Sequence, residues 1–178
     1  SFETKWEKVG ESGKFWNFFS YFCLLQILPE SRPFMFNSQY DSKLDPKGRL
    51  ALPAKIKAAI PQANGMTLML RMAEDKCLAL YPLVEYKKLE SQIKSLNINN
   101  AEQRMLQRSF FNSIVEVELD NAGRLLIPKL YQTYASLEKD VVVVGMGTRI
   151  ELWNPEQYLK NIIVDTADLS SLMEKYLS

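Results

Sequence analysis

The chain contains nearly the same ten residues twice, LDPKGRLALP at residues 44–53 and LDNAGRLLIP at residues 119–128. The same offset of 75 residues places FNS at 36–38 over FNS at 111–113, so the two stretches match over eighteen positions without a gap. Self-similarity at a fixed period is the signature of a repeated structural unit. The sequence therefore predicts two copies of one fold.

The downstream ends of the two copies also correspond, since LALYPLVEY at residues 78–86 resembles IELWNPEQY at residues 150–158. Each copy is thus a unit of roughly fifty residues, a size at which a domain buries only a modest fraction of its surface. We therefore expect the two copies to pair around a shared core and an internal pseudo-twofold axis.

Each motif contains a turn. DPKG at residues 45–48 has Asp at the first position, Pro at the second and Gly at the fourth, which suits a type I β-turn, and DNAG at residues 120–123 repeats this without the proline. Each RL pair after the turn begins a short strand, and the following proline suits the start of a helix. The predicted turn-forming residues are Asp45, Gly48, Asp120 and Gly123.

The pattern of apolar residues predicts the order strand, turn, strand, short helix, strand, strand in each copy. This order places the chain in the α+β class, as two tandem repeats with flanking helices. The predicted short helices are 53–60 and 128–137, the third strands 66–72 and 141–145, and the amphipathic helices 83–96, 100–109 and 166–176. The expected domains are repeat one at 35–82, linking helices at 83–110, repeat two at 111–158 and a C-terminal helix within 159–178.

Residues 1–34 precede the duplication and include the apolar run FWNFFSYFCLLQILP at residues 15–29. This run is shorter than the span of about 20 residues that a membrane helix needs, and its flanks do not suit a signal peptide. We expect residues 1–34 to be an extension without a role in the fold, with Met35 as the natural start. The alternative is an added apolar helix used in oligomer contacts.

The composition argues against a metal centre or a cofactor-dependent active site. Histidine is absent, and the two cysteines, Cys23 and Cys77, fit no ligand spacing or disulfide framework. A reduced, cytoplasmic setting is the default for such a chain. The net charge is +1, but residues 35–82 carry seven positive and four negative charges, so the basic excess lies around the first copy of the motif.

The tandem L-D-x-x-G-R motif, the opening MFNSQYDSKLDPKGR, the RSFF before the second copy and the closing VVVVGMGTRIELW together resemble the MraZ family of the SpoVT-AbrB superfamily. The resemblance covers about residues 35–160. It implies that the repeats form a pseudo-twofold swapped-hairpin β-barrel. It also implies a nucleoid-associated transcriptional regulator of the division and cell wall gene cluster, which binds direct repeats of a short G-rich box upstream of its own operon.

The resemblance implies double-stranded DNA and further copies of the chain, in a ring-shaped homo-oligomer, as partners, with no membrane and no small-molecule substrate. The positions that match the family's DNA contacts are Lys47, Arg49 and Arg124. An arginine fork can hold a phosphate or the O6 and N7 edge of guanine. Weaker phosphate contacts are expected from Lys43, Lys55 and Lys57. Because Ala122 stands where the first copy has Lys47, we expect the first copy to dominate DNA contact.

Other interpretations of these residues stay open at this point. The two arginines could serve only to pair with Asp45 and Asp120 across their turns. Two equivalent aspartates also resemble a catalytic carboxylate dyad, but the Asp-Thr-Gly or Asp-Ser-Gly context is missing, so we expect no enzyme. An antitoxin-like module or a scaffold oligomer of the same fold is the alternative function. Antitoxins of this kind carry one barrel copy and a disordered tail, whereas this chain is a tandem.

Overall fold

The computed structural model describes residues 35–61, 65 and 67–177. The expectations for residues 1–34 lie outside the described residues, as does Met66 at the start of the predicted third strand.

The predicted order of elements is confirmed in both copies. The first copy contains β1 (Gln39–Lys43), β2 (Arg49–Ala51), α1 (Ala54–Ala59), β3 (Thr67–Met72) and β4 (Leu78–Pro82), and the linking helices are α2 (Leu83–Lys94) and α3 (Ala101–Asn112). The second copy contains β5 (Ile114–Glu118), β6 (Arg124–Leu126), α4 (Lys129–Tyr134), β7 (Asp140–Gly145) and β8 (Ile150–Trp153), followed by α5 (Pro155–Lys160) and α6 (Thr166–Leu177).

Helix ends follow local chemistry. α1 and α4 each start directly after a proline, which has no N–H to leave unpaired at a helix start. α4 ends three residues earlier than predicted, since Ser136 adopts a positive φ of 50° that no helix continues. α3 is capped by Asn100, whose side-chain oxygen accepts hydrogen bonds from the N–H groups of Glu102 and Gln103.

The strands form two antiparallel sheets, and the larger one mixes the copies. Its order is β1-β7-β8-β4-β3-β5. The first strand of each copy pairs with the third strand of the other copy, with Asp41 opposite Val142 and Val115 opposite Leu70. If every strand is replaced by its equivalent in the other copy, the result is the same strand order read from the opposite edge of the sheet. The expected pseudo-twofold axis is thus present, and it passes between β4 and β8.

The smaller sheet is the two-stranded pair of β2 and β6, called here the β2–β6 ladder. Leu50 lies opposite Leu125 at its centre, and both side chains are fully buried. They pack against the inner face of the large sheet together with Ile56 of α1 and Ile127. One hydrophobic core therefore lies between the two sheets and belongs equally to both copies.

The closed swapped-hairpin barrel implied by the family resemblance is not found among the described residues. The large sheet stays open among the described residues, because β1 and β2 form no strand ladder. The two segments meet at the single β-bridge between Leu44 and Leu50, and Ser42 Oγ of β1 donates to the Ala51 carbonyl of β2 at 2.7 Å. β5 likewise meets β6 only through the bridge between Leu119 and Leu125. The strand ladder that β2 and β6 do form is with each other.

The outer face of the large sheet is covered by helices. Tyr86 of α2 and Phe110 of α3 are buried there, beside Tyr81 and Trp153 of the sheet. No side chain of α6 is buried. None of the helices in the described part of the chain is long and apolar enough to span a membrane.

The copies differ where the eighteen-position match begins. Phe36 is buried and exchanges two backbone hydrogen bonds with Gly147, of 2.8 and 2.7 Å. Its equivalent Phe111 lies in the last turn of α3 and is 40% exposed. The helix expected to end at residue 109 continues to Asn112, because Phe110 anchors its last turn on the sheet. Identical residues therefore form different structure at these positions.

We predict that Leu125→Ala lowers the free energy of unfolding by about 2–5 kcal/mol, because it leaves a cavity in the shared core. Leu126→Ala on the same strand is the matched control, since Leu126 is 56% exposed while Leu125 is fully buried. Urea denaturation followed by circular dichroism measures both. Equal losses for the two variants would contradict the placement of the core.

Candidate nucleic-acid interface

The two D-x-x-G-R segments form the same turn. In the first copy, Oδ1 of Asp45 accepts hydrogen bonds of 2.9 Å from the backbone N–H groups of Lys47 and Arg49. The N–H of Gly48 donates to the Asp45 carbonyl at 2.9 Å, and Gly48 has a φ of 78°, which favours glycine. One carboxylate oxygen thus fixes the backbone of the whole turn.

The second copy repeats this geometry. Oδ1 of Asp120 accepts 2.9 Å hydrogen bonds from the N–H groups of Ala122 and Arg124, and Gly123 has a φ of 71°. The turn therefore adopts this conformation without a proline, because the Asp side chain and the glycine determine it.

The other carboxylate oxygen holds the arginine. Oδ2 of Asp45 accepts from Nε of Arg49 at 2.7 Å and lies 2.7 Å from a terminal guanidinium nitrogen. Oδ2 of Asp120 holds Arg124 in the same way, with both distances 2.8 Å. The Arg49 and Arg124 side chains remain 32% and 37% exposed. The expected pairing across the turn is present, yet it fixes each guanidinium without burying it.

These contacts stabilise the charged carboxylates. The hydrogen bond from the backbone N–H of Arg49 is the largest cause that lowers the pKa of Asp45 below its usual value, and the Arg49 side chain adds to it. The backbone N–H of Arg124 and then its side chain lower the pKa of Asp120 in the same way. Both aspartates are therefore ionised at neutral pH, and each ion pair is intact.

The two arginines lie on one face of the β2–β6 ladder. Arg49 is opposite Leu126, and Arg124 is opposite Ala51. Side chains alternate between faces along a strand, so all four lie opposite to the buried leucines. Two residues along a strand and one step across it separate the Cα atoms of the arginines by about 8 Å. The ladder therefore presents a diagonal pair of arginines to solvent.

The four predicted lysines lie in different parts of the structure. Lys47 is exposed in the first turn, beside Arg49, and Lys55 is exposed on α1. Lys43 lies at the end of β1 opposite Asp140, so an acidic neighbour offsets its charge. Lys57 of α1 does not lie at the turn of its own copy. Its side chain lies against Gly123 in the turn of the second copy.

Two further lysines near the first turn were missed at the sequence level. Lys129 and Lys139, both of the second copy, line the groove that Asp45 and Pro46 form. The backbone N–H of Leu44 donates to the Lys139 carbonyl at 2.8 Å, which fixes this neighbourhood. The signal that could have found them is the strand exchange, because it brings residues of one copy to the turn of the other.

Among the described residues, no group of three His, Cys, Asp or Glu side chains could hold a metal ion. Cys77 is a free, buried thiol. Burial raises its pKa to about 12, so it stays protonated and is a poor nucleophile. The arrangement is suited to binding an anionic partner through the two turns.

We predict that replacing both aspartates with Asn reduces stability at neutral pH but not at low pH. Asn keeps the Oδ1 acceptor and loses the charge that holds the arginine. Since the folded-state pKa of each aspartate lies below the usual 3.8, their contribution is present above about pH 4 and is lost as the pH falls through the folded pKa. Urea denaturation at about pH 7 and pH 3 measures the free energy of unfolding of wild type and of Asp45→Asn/Asp120→Asn. The prediction is contradicted if the two proteins differ by the same amount at both pH values.

Comparisons with known proteins agree with the tandem geometry. The family described as "MraZ protein, putative antitoxin-like" matches residues 35–109 and 110–173, so that each match contains one copy of the turn. The chain is 46% identical over 143 residues to a protein named transcriptional regulator MraZ of Cytophaga hutchinsonii, covering 80% of this chain and 95% of that protein.

Proteins of the same name from two other bacteria are also similar to this chain. The protein of Heliobacterium modesticaldum is 41% identical over 126 residues, covering 71% of this chain and 85% of that protein. The protein of Clostridium beijerinckii is 38% identical over 141 residues, covering 79% and 96%. The family matches span both copies of the motif, and the relatives are matched over most of their own length. The chain belongs to the MraZ family.

Proposed function

We propose that this protein is a transcription regulator that binds double-stranded DNA through the exposed face of the β2–β6 ladder and its two turns. The observation that carries this proposal is the pair of solvent-accessible arginines, Arg49 and Arg124, each fixed by an aspartate on one face of a two-stranded ladder. The relatives named transcriptional regulators support the same function.

The dimensions of the ladder suit the major groove of B-DNA, which is about 12 Å wide and admits a two-stranded ribbon. Each arginine uses Nε and one terminal nitrogen on its aspartate. Its remaining donors are available for a phosphate or for the O6 and N7 atoms of guanine. Because the aspartate fixes the guanidinium in advance, less side-chain entropy is lost on binding.

The finer assignments follow from the family resemblance. We propose that the target is a set of direct repeats of a G-rich box upstream of the chain's own operon, within the division and cell wall gene cluster. We further propose a ring-shaped homo-oligomer, in which several weak contacts add through avidity, in the cytoplasm at the nucleoid. The domain bounds 35–82, 83–110, 111–158 and 159–178 and the absence of catalysis belong to the same proposal.

The second candidate is an antitoxin-like or scaffold oligomer of the same fold without promoter-specific regulation. The family description contains the word antitoxin-like, which favours it. A gel shift separates the two functions. A regulator shifts its own upstream DNA at a protein concentration that leaves a scrambled fragment of equal length free, whereas a scaffold shifts neither at that concentration.

We predict that Arg49→Ala and Arg124→Ala each weaken specific DNA binding by about 1–3 kcal/mol, or roughly five- to 150-fold, because each removes a fixed base or phosphate contact. Fluorescence anisotropy with the upstream fragment measures this. Lys87→Ala is the control, since Lys87 is an exposed cation on α2, away from the ladder. If the arginine variants bind as Lys87→Ala does, the interface is assigned to the wrong face.

We also predict a strong salt dependence. For roughly four to six neutralised phosphates per engaged site, the slope of log K against log salt is about −4 to −5, since each phosphate contributes about −0.9. Titrations of the upstream fragment between about 0.05 and 0.3 M salt measure this slope. A flat response would rule out phosphate contacts as the source of affinity.

A further inference from the structure

Two lysines of the first copy have neutral counterparts in the second copy. At the offset of 75 residues, Lys47 of the first turn corresponds to Ala122 of the second. Lys57 of α1 corresponds to Gln132 of α4 at the same offset. The first copy therefore has a lysine at both positions, and the second copy has a neutral residue at both. In the sequence they look like two unrelated differences.

The fold brings these positions together. The Lys57 side chain lies so close to Gly123 that a Cβ added to this glycine would collide with it. The Gln132 side chain lies against Gly48 in the same way, and its Nε2 donates to the Ile127 carbonyl at 2.6 Å. Each short helix thus places one side chain over the turn of the other copy.

The consequence is that each turn has one arginine and one lysine of the first copy, although Lys129, Lys139 and Glu138 lie beside the first turn as well. The first turn carries Arg49 and its own Lys47, with neutral Gln132 above the glycine. The second turn carries Arg124 and neutral Ala122, with Lys57 above the glycine. The lower charge expected for the second turn from its sequence is restored by the first copy.

No acidic residue in the described part of the chain neutralises the charge of Lys57 through an ion pair. Asp120 is the acidic residue of the turn, and its two carboxylate oxygens accept from Arg124 and from two backbone N–H groups. Lys57 lines an open groove with Asn121 and Ala122, so its ammonium group can meet an external anion.

The two turns lie at opposite ends of the ladder. The Ile127 N–H donates to the Gly48 carbonyl at 2.9 Å, and the Leu52 N–H donates to the Gly123 carbonyl at 3.3 Å. Four residues along one strand and one step across it separate Gly48 from Gly123 by about 14 Å. This separation is close to the major-groove width of about 12 Å, so the two turns can reach the two phosphate backbones that border one groove.

We propose that the second turn is a phosphate-binding site equivalent to the first, and that Lys57, supplied by the other copy, is its cation. The inference rests on the proposed DNA binding and adds to it a second, symmetric anchor. Lys47 and Lys57 hold the backbones on either side of a groove into which Arg49 and Arg124 point.

The test is to remove the lysine and then return it to the turn. Lys57→Gln gives α1 the residue that α4 already carries. It should reduce the magnitude of the slope of log K against log salt by about 0.9 and weaken binding at 0.1 M salt by roughly tenfold, equally for specific and scrambled DNA. Lys57→Gln/Ala122→Lys moves the cation to the position that it has in the first turn, and it should restore the wild-type slope.

Lys87→Gln, which removes an exposed lysine of α2, is the control for net charge, and thermal unfolding shows that each variant is folded. If wild type binds with a steep salt dependence and Lys57→Gln keeps the wild-type slope, the inference is wrong while the proposed function stands. Failure of the double variant to regain affinity also overturns it. If wild type itself binds no DNA, both the proposed function and the inference fail.

Discussion

The structure depends on the exchange of first strands between the two copies. β1 pairs with β7 and β5 pairs with β3, so neither copy contains a complete sheet of its own. A unit of roughly fifty residues could not bury a sufficient core alone, and here the buried Leu50 and Leu125 face a core to which both copies contribute. The same exchange brings the helix of each copy to the turn of the other. Core and candidate interface are therefore products of one topological constraint.

The aspartate of each turn links this fold to the candidate interface. One oxygen of Asp45 holds two backbone N–H groups, and the other holds the Arg49 guanidinium. A substitution that removes both oxygens would therefore alter both the backbone of the turn and the orientation of the arginine. Such a double role explains why Asp and Arg occur together in both motifs, four positions apart, while the two residues after each aspartate differ between the copies.

Much of the fold could be predicted from the sequence, because the duplication and the turn chemistry are local signals. The order of elements along the chain and the shared core could be predicted from the repeat, and the turns could be predicted from Asp and Gly. What could not be predicted depends on contacts between distant segments. Lys57 is 66 residues from Gly123, and no spacing rule relates them. The open sheet and the helical Phe111 are also set by tertiary packing, which overrides the local identity of the two copies.

The fusion of both halves in one polypeptide also has an evolutionary consequence. A dimer of identical chains must present two identical ends, and its operator is accordingly palindromic. Here Pro46 and Lys47 at one end are free to differ from Asn121 and Ala122 at the other, since each end is encoded separately. A molecule with unlike ends has a polarity. Under the proposed DNA binding, such a molecule would distinguish the forward from the reverse orientation of an asymmetric sequence, which a strictly symmetric dimer cannot do.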